Sequence, residues 1–294
     1  MATTNPIKYR LKVLRAEYDR LKRGKESLLR MIDEAELSES VFNSNAIENS
    51  TLTLKETEKI LLNMEVSRNV SVREVFEAKN LAQVMQYIEG NRGTKELSID
   101  HILLLHKMLI LNINDEFAGR LRRKGEYVRV GTHIAPAPEH VERMLEDILI
   151  GYHSDHETYF TDKIARFHLQ FETIHPFCDG NGRIGRVLIN EQLMREGYPS
   201  VIIRDKEKQI YYRSFSEYKD SNNSKTMEKI ITLALLESLH KRLAYLRGDT
   251  ITTLSDYAKT RKESIHALGN ATRRQTIPAF REKGVWKIGV ANGD

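Results

Sequence analysis

Apolar residues return at helical spacing along most of this 294-residue chain. Leu11, Val13, Leu14, Tyr18, Leu21, Leu28, Leu29 and Ile32 recur among many charges and predict one long helix over residues 7–36, packed along a main body. Thr53 and Glu56 form a capping-box pattern that opens a helix running through Leu62. Residues 72–88 predict a further helix, stopped by Gly90 and Gly93. A helix starting at Ser98 turns Ile99, Ile102, Leu103, Leu105, His106 and Leu109 inward. Helices are also expected over 141–152, 163–174 and 184–194, and in a stretch beginning at Tyr211-Tyr212. His106 and His168 sit on apolar helical faces and read as satisfied core histidines. The rhythm breaks over residues 119–138. There Tyr127-Val128-Arg129-Val130 alternates like a strand, Gly131-Thr132 can turn, and Pro136 and Pro138 exclude helix. A β-hairpin between helices is the expectation.

Past residue 245 the pattern shortens. Leu246-Arg247-Gly248-Asp249-Thr250 reads as a linker. Two short helical stretches, a third element and a Gly-led strand at Gly284-Val285-Trp286 follow. They predict a small helix-turn-helix or winged-helix-like module over residues 251–294. The chain is thus mainly α, with N-terminal helices over 1–96, a helical core over 97–245 and this tail. Charge sharpens the division: Lys+Arg 46 against Asp+Glu 41 gives a net +5, and residues 251–294 hold eight Lys/Arg against four Asp/Glu. A basic tail suits an acidic partner, DNA among them, while packing or oligomerisation explains it equally well. The single cysteine, Cys178, excludes an intramolecular disulfide. Residues 1–10 lack an apolar signal core, and no apolar run approaches the ~18 residues of a membrane span. A cytoplasmic protein that crosses no membrane is expected.

The densest chemistry lies in His175-Pro176-Phe177-Cys178-Asp179-Gly180-Asn181-Gly182-Arg183-Ile184-Gly185-Arg186. Gly180, Asn181 and Gly182 can take turn or positive-φ conformations, so successive N–H groups can line a concavity for an anion. The following helix adds its positive end, which favours phosphate. Arg183 and Arg186, three apart, can grip phosphate oxygens. Asp179 is a hard oxygen ligand suited to Mg²⁺ carried with a nucleotide. His175 titrates near neutrality and can take a proton from a nucleophile.

This segment resembles the Fic family signature, His-x-Phe-x-(Asp/Glu)-Gly-Asn-Gly-Arg-x-x-Arg, at every fixed position. The resemblance spans roughly residues 40–240. It implies a helical Fic bundle and transfer of AMP from ATP to a Ser, Thr or Tyr hydroxyl of a target protein. It also implies that the hairpin at 125–138 is the flap that docks the target by strand addition. An aromatic near Tyr211 or Tyr212 lines the adenine pocket in the family. Upstream, Ser44-Asn45-Ala46-Ile47-Glu48-Asn49 resembles the family's inhibitory signature, (Ser/Thr)-x-x-x-Glu-(Gly/Asn). In that reading Ser44, Glu48 and Asn49 are regulatory: Glu48 pairs with Arg186, the guanidinium expected to hold the ATP γ-phosphate, and spoils the nucleotide pose. Three alternatives stay open. The site can remove AMP, with Glu48 positioning a water, or do both. Relatives use other donors, for phosphocholine or phosphate transfer. Finally, the protein can act as a DNA-binding regulator through its tail. A homo-oligomer that relieves the brake is a further expectation.

Overall fold

The N-terminal stretch expected as one helix folds as two, α1 (Asn5–Leu21) and α2 (Glu26–Ile47). The computed structural model describes residues 4–63, 65–66, 70–92, 96–131 and 133–291. Gly24 takes φ +73 between the two helices, a backbone state that ends a right-handed helix. α2 continues past residue 36 to Ile47, with Glu48 as its C-cap. Its inner face is polar: Ser38, Glu39, Ser40, Asn43, Ser44 and Asn45 are all buried. An apolar period therefore could not outline its second half.

The capping box forms as expected at the start of α3 (Leu54–Asn63): Glu56 N–H donates to Thr53 Oγ1 at 3.3 Å, and Thr53 N–H donates to Glu56 Oε2 at 2.8 Å. Ser71 and Ser98 cap α4 (Val72–Gly90) and α5 (Ile99–Ile110). Gly93 and Thr132, named above as a stop and a turn, lie outside the described residues. The hairpin is present but short, β1 (Arg129–Val130) antiparallel to β2 (His133–Ile134). Pro138 corrects an expectation. It opens α6 (Pro138–Ser154) instead of excluding helix, because the first helical position needs no N–H donor. Then come α7 (Phe160–Ile174), α8 (Asn181–Arg195), α9 (Lys208–Ser221) and α10 (Lys225–Arg247).

α7 and α8 form a hairpin between two apolar clusters. On one side Phe167, Phe171, Ile184 and Leu188 pack with Leu81, Ile102 and Leu105 of α4 and α5. On the other, Ile164, Leu169, Ile189 and Leu193 pack with Leu11, Leu235 and Leu239 of α1 and α10. At about 1.5–3 kcal/mol per buried side chain, this sandwich fixes the loop between the two helices, which carries the motif. Double-sided burial also obliges the polar residues of α8 to find partners. Glu191 Oε1 meets His101 Nε2 at 2.7 Å, and Asn190 bonds the Val201 backbone at 2.7 and 3.1 Å.

The expected linker is largely helix and strand. α10 runs to Arg247, and only Gly248 and Asp249 precede β3 (Thr250–Thr253). α11 (Leu254–Arg261), α12 (Ile265–Arg273), β4 (Ala279–Glu282) and β5 (Val285–Val290) follow, in an antiparallel sheet of order β3-β5-β4. The module sits against α10: Phe280 is fully buried, and Arg281 pairs with Glu237 at 2.6 Å. Among the described residues, no helix is long and apolar enough to cross a membrane.

Burial holds His106, His168, His175 and His240 below the ordinary imidazole value, at about 4, 3, 4 and 4. The native state keeps them neutral, whereas the unfolded chain protonates them below about 6.5. The unfolded state thus binds more protons in this window, so stability rises with pH there. Their contribution is full above about pH 6.5 and is lost as pH falls toward 4, at about 1.4 kcal/mol per group and pH unit. Urea midpoints should drop clearly from pH 7 to pH 5. Equal midpoints would contradict burial of neutral imidazoles.

Candidate active site

The loop between α7 and α8 is built by three local devices. His175 caps α7 in the left-handed region, φ 52 and ψ 62, with its N–H on Phe171 O at 2.9 Å. Phe177 is fully buried and stacks on the His106 ring at 3.7 Å. Asn181 closes the loop onto the Phe177 backbone, accepting at 2.9 Å and donating at 2.8 Å. Of the three residues expected to form a nest, only Gly180 takes positive φ, +84. Asn181 and Gly182 already belong to the first turn of α8. The anion site is therefore a helix N-terminus, and Gly180 leaves it without a side-chain cap.

Glu48 lies against that turn. A Cβ on Gly182 would collide with its carboxylate and stand 3.1 Å from Arg186 Nη1. Arg186 Nη2 donates to Glu48 Oε1 at 2.8 Å, across 138 positions of sequence. The same guanidinium donates to Ser44 Oγ at 2.9 Å and Ser44 O at 2.8 Å. Ser44 and Glu48 face it together because they stand one helical turn apart. The remaining carbonyls at the end of α2 are also held. Ala46 O accepts from Lys208 Nζ at 3.3 Å, and Ile47 O from the Tyr212 hydroxyl at 3.0 Å. Lys208 also donates to Asn49 Oδ1 at 2.8 Å.

Arg183 and Arg186 serve different partners. Arg183 is buried and ion-paired to Glu77 at 3.2 Å and Asp179 at 3.0 Å. Arg73 of α4 also pairs with Asp179. Burial raises the Asp179 pKa, but Arg183 and Arg73 outweigh it and hold the carboxyl below its usual value. His175 Nδ1 lies 3.4 Å from Glu172 O, which favours a proton on Nδ1 and leaves Nε2 free to accept. Burial brings this imidazole down to about 4, with Arg122 and His133 acting in the same direction. Its neighbour Glu172 is pushed up to about 8 by burial, then by Glu48, and its Oε1 has no hydrogen-bond partner.

Residues 96–193 match the model described as the Fic/DOC family. The chain belongs to the Fic family. It is 31% identical to a sea-anemone relative, "Protein adenylyltransferase Fic" of Nematostella vectensis, over 81% of this chain and 55% of the relative. It therefore spans about half the length of that curated relative. A Fic-domain signaling protein from Bacteroides thetaiotaomicron shares the fold, with TM-score 0.72, 24% identity, and 82% and 97% of the two chains covered. Fic-1 from Caenorhabditis elegans superposes at TM-score 0.69 with 26% identity, over 82% and 73%.

Other residues named from the sequence take less direct places in the Fic core. Tyr211 is buried behind Arg186, its hydroxyl 2.8 Å from His168 Nε2 and 3.4 Å from Arg186 Nη1, so it braces the arginine rather than lining an open wall. Tyr212 is partly exposed beside the end of α2. Gly185 is a packing glycine: a Cβ there would fall 2.5 Å from Glu172 Oε1 and 2.7 Å from His168 Cε1. Gly185→Ala is expected to lower stability by about 1–3 kcal/mol through overpacking. An unchanged thermal midpoint would count against that tight contact. Sequence reasoning missed Glu172, Arg73 and Arg122. Glu172 is one of two acids, with Asp162, in an apolar-faced helix, and Arg122 is hidden in the basic run Arg120-Leu121-Arg122-Arg123-Lys124; neither pattern distinguishes them.

Proposed function

We propose that the protein is an ATP-dependent adenylyltransferase acting on hydroxyl side chains of other proteins, with Glu48 as a built-in brake. The observation that carries this is one geometry: an uncapped helix N-terminus beside a neutral, half-buried His175, with Arg186 held there by Glu48. The Nematostella relative, a protein adenylyltransferase by name, supports the reaction class.

In this reading the ATP phosphates take the place of the Glu48 carboxylate at the first turn of α8, where amides and Arg186 favour negative charge. The target hydroxyl attacks the α-phosphorus and gives its proton to His175 Nε2. The bond from the α-phosphorus to its bridging oxygen breaks, and pyrophosphate leaves. Amides and guanidinium already aimed at the phosphates stabilise the developing charge without reorganisation. The hairpin at 125–138 would present the target chain. Among the described residues no three His, Cys, Asp or Glu side chains group as a metal site. A single ionised carboxylate is nevertheless what Mg²⁺ with a nucleotide needs, and Asp179, part-exposed and held ionised, fits once Arg73 turns aside. There the ion would neutralise phosphate charge.

Asp179→Ala should remove the metal dependence of ATP binding. Calorimetry with and without Mg²⁺ should show tighter binding with the metal in the unaltered protein and no difference in the variant. A difference retained in full by the variant would end this role. A second reading, removal of AMP from a target, is favoured by the Glu48 carboxylate over the α8 turn, where it could position a water. Intact-mass analysis with Mg·ATP, before and after Glu48→Gly, tests the proposed function: AMP adducts should appear chiefly in the variant. Adducts absent from both would favour the second reading.

A further inference from the structure

We infer that Arg122 is a positioning residue that splints the target-docking flap to the catalytic base. This inference rests on the assignment of His175 as base. The Arg122 side chain is buried, and each of its three nitrogens donates to backbone carbonyls. Nε donates to His175 O at 2.8 Å, and Nη2 to Ile174 O at 3.2 Å. Nη1 donates to Glu126 O at 3.0 Å, and Nη2 also to Pro136 O at 2.9 Å. Its own N–H donates to Pro176 O at 3.0 Å. Glu126 and Pro136 are the two ends of the hairpin, so one guanidinium closes the flap base and holds the carbonyl of the base residue itself. His175 occupies a left-handed conformation that is uncommon for a residue other than glycine, and Arg122 holds its carbonyl there. A planar fork with several fixed donors can meet carbonyls in different directions, and a lysine ammonium cannot. The proposed consequence is that target docking and base alignment share one anchor.

The test uses the full chain in the Glu48→Gly background, with self-labelling by α-labelled ATP. Arg122→Lys keeps the charge and should lower kcat by roughly 10²-fold, the cost of a small misplacement of a reacting group, while KM for ATP stays within about twofold. Arg122→Ala should lose as much or more and be partly restored by guanidinium at sub-denaturing concentration. Wild-type kcat in Arg122→Lys would overturn the proposal, as would a fall with KM for ATP rising in parallel. His175→Ala, measured alongside, separates the two ideas. If it stays active, the assignment of the base fails; if it is silent while Arg122→Lys is unaffected, only the splint fails.

A different observation points to a second device: the structure assigns the C-terminal module the task of holding α2 in its inhibitory position. This too rests on the brake reading. Glu39, buried on α2 five residues before Ser44, accepts from the N–H groups of Lys283 and Gly284 in the β4–β5 turn, at 3.0 and 3.1 Å. It also pairs with Arg204, whose other nitrogen meets Glu237 at 3.0 Å. Arg281 of β4 grips Glu237 and reaches Glu207 at 2.9 Å. Asp205 N–H then donates to Asn43 Oδ1 on α2 at 3.1 Å. Arg281 is thus tied, through two carboxylates and the 204–207 segment, to the helix that carries Glu48. Arg281→Ala should raise self-labelling at least about fivefold in the otherwise unaltered chain and add nothing in the Glu48→Gly background. Full activity of the double variant shows that the catalytic core still folds. Low labelling by Arg281→Ala beside high labelling by Glu48→Gly would refute the clamp and leave the brake standing. Reduced labelling in both backgrounds would refute it equally. No rise with Glu48→Gly itself would refute the brake.

Discussion

Glu48→Gly should raise self-AMPylation strongly while ATP affinity changes much less. The carboxylate pairs with Arg186 at 2.8 Å and lies against the first turn of α8, where phosphates would stand. Removing it frees the guanidinium and removes like-charge repulsion against the nucleotide. The change falls on pose rather than occupancy, so it reports in rate. Arg186→Ala should be inactive with or without Glu48, because its phosphate role is gone in both. This double-mutant comparison measures the coupling between two residues that touch only in the fold. Equal labelling by wild type and Glu48→Gly under matched Mg·ATP would reduce residues 44–49 to an ordinary helix end.

His175→Ala should cost on the order of 10²–10⁴ in AMP transfer, the usual worth of a positioned general base. Because burial brings the imidazole to about 4, the free base is present at all pH values well above that. The rate should therefore hold its plateau through pH 6.5, where an exposed histidine would be half protonated, and fall as pH drops through about 4 to 5. Acid unfolding narrows the usable window, so rates are to be read only where near-UV circular dichroism stays native. An acid limb at pH 6.5 would mean that the imidazole is solvated, and wild-type labelling by the alanine variant would remove His175 from the chemistry.

The loop of the candidate site was legible because its chemistry is local. Gly180 and the start of α8 follow from residues adjacent in sequence, as does the Thr53–Glu56 box. Even there, the residues expected as a nest proved to be a helix start, since Asn181 spends its side chain on Phe177. Elsewhere the pattern failed for definite reasons. α2 hides its inner face from any hydrophobic period, because that face is polar and paid for by partners far along the chain. Gly24 sits between two helices whose apolar residues continue the same rhythm, so the break left no trace in it. Arg122 and Arg281 act through backbone carbonyls and buried carboxylates that only the tertiary fold brings near.

The way α2 ends has its own consequence. The last carbonyls of a helix have no intrahelical donor; here Ser44 and Ile47 receive theirs from Arg186 and Tyr212, and Ala46, already bonded by the Asn49 N–H at 3.0 Å, also takes Lys208. Two of those caps come from α9 and one from the arginine that ATP would claim. Productive nucleotide binding and an intact helix end thus draw on the same donor. By reciprocity, whatever frays the final turn of α2 should tighten the productive hold on ATP, and the nucleotide should in turn loosen that turn. Amide hydrogen exchange at residues 46–50, slowed without nucleotide and accelerated by Mg·ATP, would be the visible sign of that exchange of partners.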